Sequence, residues 1–205
     1  MTASDVSGVI LAGGRSSRFG SDKLAARIGD RTLLDLAIAA VAAVASEIVV
    51  VLAPGDDRVP DPIERPIRLI VDPERHGGPL VGLLAGLEAV EQPLVIVAGG
   101  DMPSLSPAVL GAMVRALESS GEGWGAVILA SRGDRVPLPA VIRTGAATAI
   151  ARQLVSDGER RLRSLFERLP TRALEEGEWR PLDPAGATLR DVDRPADLRP
   201  DQPVD

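Results

Sequence analysis

The sequence of 205 residues contains no cysteine, no tyrosine and a single histidine, His76. Without cysteine, disulfides and thiolate metal sites are excluded, and one histidine cannot build a zinc site with another. Aromatic residues make up only 2% of the chain, and its formal net charge is −6. Because single-stranded nucleic acids need aromatic stacking platforms and basic grooves, we expect no nucleic-acid partner.

Long apolar runs are also absent. The amino terminus carries no charged start followed by a long apolar segment, and glycine or charged residues interrupt every apolar run before it reaches the length of a membrane span. We therefore expect no membrane segment and a cytoplasmic protein.

Apolar residues nevertheless make up 45% of the chain. With so few aromatics, the core must be built from Val, Leu, Ile and Ala, which is typical of parallel sheets covered by helices. A chain of this length suits one substantial core. We expect a single domain over residues 1–205, with residues 199–205 as a frayed tail.

A glycine-rich loop follows the first apolar run, in the stretch VILAGGRSSRFGSDK at residues 9–23. Its spacing fits neither a P-loop, G-x-x-x-x-G-K-[ST], nor the dinucleotide fingerprint G-x-G-x-x-G. The glycine amides can point at an anion, and exposed loop cations follow within ten residues. This pattern predicts a polyphosphate site; the alternative is an ordinary glycine turn with solvated cations. The residues are Gly13, Gly14, Arg15, Arg18 and Lys23.

The letters LAGGRSSRFGSDK resemble the signature loop LAGG-x-S-x-R-[MF]-G-x-D-K of the nucleotidyltransferases typified by molybdenum cofactor guanylyltransferase, and they match at every fixed position. The resemblance implies an α/β fold, a Rossmann-like three-layer sandwich with a mainly parallel sheet. It also implies that the loop binds a nucleotide, that Lys23 contacts phosphate, and that Arg18 joins it on the developing charge. The nucleotide-binding residues implied here are Leu11, Ala12, Gly13, Gly14 and Lys23.

Three further apolar runs predict strands over residues 47–53, 67–71 and 94–98. Helices are predicted over residues 32–46, with Thr32 as the cap, and over residues 80–91. GGPLVG at the start of the second helix resembles the family's G-P-L-A-G stretch, which implies that Gly78 and the preceding Asp72 contact the nucleotide. The alternative is a tight turn before a closely packed helix.

Asp101 ends the most apolar of these strands, within GGDMP, which resembles the family's C-D-M-P. Because ligands collect at the carboxyl ends of parallel strands, we expect Asp101 and the Gly13 loop to open onto one crevice. A carboxylate there can bind Mg²⁺ together with phosphate oxygens. The alternative is a turn residue or a helix cap ahead of Ser106.

The second half predicts helices over residues 106–118, 145–155 and 160–169, and strands over residues 125–130 and 137–142. PLPAVI in the second of these strands resembles the family's P-L-x-A-L strand beside the acceptor substrate, although a plain core strand explains it nearly as well. The helix over 160–169 carries three arginines that form either a solvated face or contacts to an anionic acceptor. They are Arg160, Arg161 and Arg163.

Two departures from the family pattern stand out. TLRDVDRPADL at residues 188–198 resembles N-x-N-T-P-E-D-L, but Asp191 and Asp193 replace both asparagines. Asp193 is either a second Mg²⁺ ligand or a helix cap before Pro195. Leu52 lies near a position where the family's strand offers an asparagine, so guanine loses one expected contact.

The resemblance implies an enzyme that transfers GMP from GTP to molybdopterin, releasing pyrophosphate, with Arg18, Lys23 and Asp101 as catalytic residues. The expected cofactor is Mg²⁺. Expected partners are GTP, molybdopterin, and other proteins of the cofactor pathway or recipient molybdoenzymes. Two alternatives stay open: a same-fold transferase using CTP or a phosphorylated sugar or small-acid acceptor, and a catalytically silent nucleotide-binding paralogue.

Overall fold

A computed structural model of the protein describes residues 6–13, 23–74, 77–121 and 123–198. The strands are β1 (Val6–Ala12), β2 (Arg27–Ile28), β3 (Arg31–Thr32), β4 (Glu47–Leu52), β5 (Ile67–Val71), β6 (Leu94–Gly99), β7 (Ala126–Ser131), β8 (Asp134–Arg143) and β9 (Thr171–Leu174). The α-helices are α1 (Leu33–Ala42), α2 (Pro79–Ala89), α3 (Pro107–Glu118), α4 (Thr144–Ser156), α5 (Arg163–Arg168) and α6 (Glu176–Trp179). Single 3₁₀ turns cover residues 23–25, 180–182, 187–189 and 195–198.

The main sheet has seven strands in the order β5-β4-β1-β6-β8-β7-β9. Strand β1 lies at its centre and pairs in parallel with β4 and β6, while β5 extends the sheet in parallel beyond β4. Strand β8 is antiparallel to both β6 and β7, and β9 is parallel to β7. Four of these six pairings are parallel, which confirms the predicted mainly parallel sheet.

Helices cover both faces of the sheet because its central strands are apolar on both sides. Ile10 of β1 packs in a cluster with residues of α1 and α3, whereas the neighbouring Val9 packs in a second cluster with residues of α2, α4 and α5. Gly86 lets α2 approach closely, since a Cβ there would stand 2.6 Å from Cγ1 of Val9. The predicted three-layer sandwich is therefore confirmed.

Most predicted elements are present, with shifted ends. Thr32 caps α1 as predicted, its Oγ1 accepting from the Asp35 backbone N–H, but the helix ends at Ala42 rather than residue 46. Helix α2 ends at Ala89 rather than residue 91. Ser106 caps α3, which ends at Glu118 as predicted.

The helix predicted over residues 160–169 begins only at Arg163. The backbone groups before Arg163 form hydrogen bonds outside a helix. The Arg160 carbonyl accepts from the Leu80 backbone N–H at 3.2 Å. The Glu159 carboxylate accepts from the backbone N–H groups of Arg160 and Arg161. Strand β8 is longer than predicted because it pairs with β7 through a tight turn at Gly133, whose φ is +84°. In the part of the chain that the structure describes, no helix is long and apolar enough to cross a membrane.

Candidate functional site

A cavity of about 470 Å³ opens at the carboxyl edge of the sheet. Its volume lies within the usual range for small-molecule sites. The position is the one expected for a ligand in an open α/β sheet, since β1 here has β4 on one side and β6 on the other. The lining residues that the argument uses are Leu11, Gly13, Val51, Ala53, Asp72, Glu74, Gly78, Gly82, Asp101 and Leu138.

Five of the residues predicted to bind nucleotide line this cavity: Leu11, Gly13, Asp72, Gly78 and Asp101. Ala12 is placed differently, because alternate strand residues face opposite sides of a sheet. Its side chain is buried in the cluster with α1 and α3, so only its backbone could meet a ligand there. Gly14 and Arg18 lie outside the described residues.

Asp72 presents a fixed carboxylate to the cavity. Its Oδ1 accepts from the Glu74 backbone N–H at 2.9 Å, which closes a local turn. Its Oδ2 lies on the side of Gly13 and Gly82, where a Cβ added to Gly82 would stand 3.3 Å away. The two glycines therefore keep the second oxygen accessible from the cavity.

Arg160 packs against Gly78 and Glu74, which line the cavity near the start of α2. A Cβ added to Gly78, whose φ is +87°, would lie 2.9 Å from both Cβ and the carbonyl oxygen of Arg160. The Arg160 guanidinium also pairs with Glu74 at 3.3 Å. Of the other two arginines predicted as a solvated face or as acceptor contacts, Arg161 is exposed and pairs with Glu159, while Arg163 lines a separate cavity of about 310 Å³.

Lys23 links the cavity to the carboxyl-terminal part of the chain. Its Nζ lies 2.9 Å from Oδ2 of Asp101 and 2.6 Å from Oδ1 of Asp193. Burial lowers the pKa of Lys23, but the hydrogen bonds and charges of both aspartates outweigh that effect and raise the pKa above its usual value. The expectation of an exposed loop cation is wrong for Lys23, which is buried and whose ammonium group contacts both carboxylates.

Backbone bonds hold these carboxylates in place. The Gly100 N–H donates to the Leu11 carbonyl at 3.0 Å, which ties the Asp101 loop to the end of β1. The Val192 N–H donates to the Asp101 carbonyl at 3.0 Å, which brings the segment that carries Asp193 to the same edge.

Asp197 ties the turn that begins at Pro195 to the residues before it. Its Oδ2 accepts from the backbone N–H groups of Asp193 and Arg194, at 3.0 and 2.7 Å. The Asp193 carboxylate contacts Lys23, and its roles as a metal ligand or as a cap stay predictions. Desolvation raises the pKa of Asp191, and the charges of Asp193 and Asp101 raise it further.

The donor set at this edge fits a divalent cation. Within the described ranges no three acidic or histidine side chains form a metal-holding cluster. Asp101 and Asp193 nevertheless hold one cation between them, the Lys23 ammonium. Mg²⁺ is commonly bound by one or two carboxylates, with substrate phosphates and water as the other ligands.

Leu52 does not face the cavity. It is buried in the cluster with α1 and α3, and its neighbours Val51 and Ala53 line the cavity instead. The absence of an amide at Leu52 therefore removes no contact from this cavity. Val51 and Ala53 were not predicted, and only the alternation along β4 could indicate them, since apolar side chains carry no chemical signature. Leu138 on β8 is a further apolar lining residue that was not predicted.

A central parallel sheet, a cavity at the carboxyl ends of its strands, and a lysine and carboxylates at the cavity edge together define an α/β nucleotidyltransferase. More narrowly, the chain belongs to the MobA-like NTP transferase domain family, which matches residues 8–173.

Proteins similar to this chain over almost its whole length are named as molybdenum cofactor guanylyltransferases. A probable molybdenum cofactor guanylyltransferase of Chloroflexus aggregans is 34% identical over 204 residues, covering 95% of this chain and 92% of that protein. One from Mycobacterium avium is 33% identical over 200 residues, covering 95% and 93%.

Solved structures share the fold. Molybdopterin-guanine dinucleotide biosynthesis protein A of Archaeoglobus fulgidus aligns with a TM-score of 0.76 at 22% identity, covering 94% of each chain. The 2-C-methyl-D-erythritol 4-phosphate cytidylyltransferase of Thermus thermophilus aligns with a TM-score of 0.66 at 20% identity, covering 93% and 94%. The same fold thus serves proteins named for different bases and acceptors.

Proposed function

We propose that this protein transfers GMP from GTP to the terminal phosphate of molybdopterin, releasing pyrophosphate and forming the guanine dinucleotide cofactor. The names of the relatives similar over almost the whole chain support this reaction. The observation that carries it is the position of Asp101, which lines the cavity and also binds Lys23. A ligand in the cavity would therefore have its anionic end beside a cation.

The guanine base would lie in the cavity against Leu11 and Val51, with Asp72 as its polar contact. Guanine offers donors at N1 and N2, and the accessible Oδ2 of Asp72 can accept from them. The triphosphate would run toward Asp101 and Lys23. From the signature loop, Gly14 and Arg18 belong to the same proposal.

The reaction needs little general-base help because the acceptor phosphate is already an anion near neutral pH. One of its oxygens attacks the α-phosphorus of GTP, and the bond from that phosphorus to the bridging oxygen of the β-phosphate breaks. Pyrophosphate leaves with the electron pair of that bond. Positioning and charge neutralisation carry such phosphoryl-group chemistry, and Lys23 supplies a positive charge for the departing pyrophosphate.

Enzymes of this family generally use a divalent metal. We propose Mg²⁺ as that ion, with Asp101 and Asp193 as its protein ligands. When bound, it supplies positive charge to the phosphate oxygens. A cytoplasmic location and transfer of the product to pathway proteins or recipient molybdoenzymes stay predictions.

The test is to incubate the protein with Mg²⁺, molybdopterin and each of the four nucleoside triphosphates in turn, and to measure pyrophosphate. We expect release that depends on both GTP and molybdopterin. Release with CTP instead would indicate a cytidylyltransferase. If pyrophosphate is released only when another phosphorylated acceptor is supplied, molybdopterin is not the acceptor. No release under any condition would favour a silent nucleotide-binding paralogue.

A further inference from the structure

Lys23 is the only lysine in the sequence, since the other 22 of its 23 basic residues are arginines. This one ammonium group lies between carboxylates that are 78 and 170 residues away along the chain. Arginine would present a planar fork, whereas lysine presents a compact charge on a flexible four-carbon stem. In an arginine-rich chain, the one compact and mobile cation lies at the edge of the nucleotide cavity.

Asp101 and Asp193 cannot hold this ammonium and a divalent ion at the same oxygens. Mg²⁺ takes its oxygen ligands at about 2.0–2.1 Å, and a second cation within about 4 Å of it would be repelled. The side chains of Asp101 and Asp193 are 32% and 51% exposed, whereas that of Lys23 is 11% exposed. An ion from solvent can therefore reach the carboxylates while the ammonium is enclosed.

We propose that Lys23 is the internal counter-ion of the Asp101–Asp193 pair and exchanges with the divalent cation. When the cation binds, the ammonium leaves the carboxylates and turns toward phosphate in the cavity. The exchange rests on the contacts of Lys23 with Asp101 and Asp193, whereas the destination of the ammonium rests on the proposed function. Metal alone must then bind weakly, and metal with nucleotide must bind cooperatively, because phosphate receives the displaced ammonium.

The first test measures Mn²⁺ binding to the whole protein without nucleotide, from the electron paramagnetic resonance signal of free Mn²⁺. Lys23→Met removes the competing cation, so we expect Mn²⁺ to bind at least about tenfold more tightly than to the wild type, since a partly buried pair is worth more than a surface pair. Lys23→Arg keeps the positive charge, so Mn²⁺ binding to this variant should stay as weak as to the wild type. Unchanged or weaker binding by Lys23→Met overturns the exchange.

A matched control removes the same unit charge elsewhere. Arg152 forms an exposed pair with Glu88 at 2.7 Å, and Arg152→Met should leave Mn²⁺ affinity unchanged. A gain as large as that of Lys23→Met would make the effect one of net charge and reject the exchange. If Lys23→Met does not fold, Lys23→Gln removes the charge while keeping a polar side chain and carries the same expectation.

The second test uses the wild type and the fact that only Lys23 and the chain's amino terminus are amines. An amine-acylating reagent is applied, and labelling of each amine is followed by peptide mass spectrometry, with the amino terminus as internal reference. We expect slow labelling of Lys23 without metal, faster labelling with Mg²⁺ alone, and slow labelling again with Mg²⁺ and GTP. A Lys23 labelling rate that stays unchanged even at Mg²⁺ concentrations that saturate the site overturns the exchange. If Mg²⁺ speeds labelling but GTP does not slow it, the exchange stands and the proposed nucleotide function fails.

Discussion

Gly78 and Arg160 meet at the wall of the cavity with no space between them for a side chain. The φ of Gly78 is +87°, and a Cβ there would lie 2.9 Å from the Arg160 carbonyl oxygen. That same carbonyl accepts from the Leu80 N–H at the start of α2. The wall of the cavity and the first turn of the helix therefore depend on one glycine.

Gly78→Ala tests this dependence. We expect the free energy of unfolding to fall by about 1–3 kcal/mol, because alanine is strained at this φ and its Cβ meets backbone that cannot move freely. Chemical denaturation measures the change. Gly145→Ala is the control, since no atom lies within 4 Å of a Cβ there, and it should be neutral or stabilising. Equal effects from both variants would show that the contact with Arg160 does not matter.

Replacing either member of the Lys23–Asp101 pair should slow catalysis. We expect Lys23→Ala and Asp101→Asn each to cut turnover at least about tenfold, because charge stabilisation aimed at a transition state is a large term. Pyrophosphate release measures it, and thermal melting checks the fold, because Lys23 is buried. Arg152→Ala, which breaks an exposed pair with Glu88, should keep wild-type turnover. Wild-type rates in both site variants would remove the pair from the reaction.

The elements that were predictable from the sequence are those whose signals are local. Strand β5 has the predicted bounds Ile67–Val71, and Ser106 caps α3, because an apolar run and a capping hydroxyl act within a few residues. The short β9 and α6 were not predicted. Strand β9 has four residues, and only its pairing with β7 makes it a strand.

In the candidate site, polar motif residues were predictable and their partners were not. Asp72 and Asp101 follow apolar strands, so parallel-sheet geometry brings them to one edge. The bond from Lys23 to Asp193 spans 170 residues, and nothing local marks either residue as the partner of the other. The single-domain prediction for residues 1–205 stays a prediction.

Asp183 should stabilise the segment that leads to Asp193. Its Oδ2 accepts from the Thr188 N–H at 2.7 Å, and Oγ1 of Thr188 accepts from the Ser106 N–H at 3.0 Å. Burial raises the pKa of Asp183, but bonds from Thr188 and Ala187 lower it overall. Asp183→Ala should therefore cost about 1–3 kcal/mol of unfolding free energy near neutral pH, because a buried N–H loses its acceptor.

The pH dependence of that difference has a definite sign. A carboxyl whose pKa is lowered in the folded state stabilises it above the unfolded pKa, near about 3.9, and this contribution is lost as pH falls through the lowered folded value. The gap in unfolding free energy between wild type and Asp183→Ala should thus be constant from pH 5 to 7 and narrow below pH 4. A gap that widens in acid would contradict the role of the ionised carboxylate.

Asp72→Asn tests how the base is chosen. Asparagine keeps an oxygen that can accept from the Glu74 N–H, as Oδ1 of Asp72 does at 2.9 Å, so the local turn should survive. On the cavity side, however, an acceptor becomes an NH₂ donor facing the N1 and N2 donors of guanine. Because an unpaired buried polar group costs about 1–3 kcal/mol, we expect the preference for GTP over CTP to fall about tenfold or more, measured by competition of both nucleotides in one reaction. A wild-type preference that is unchanged in Asp72→Asn would mean that Asp72 does not read the base and that selectivity comes from the backbone beside Leu11 and Gly13. A wild-type ratio already near one would mean that the site does not select guanine over cytosine at all.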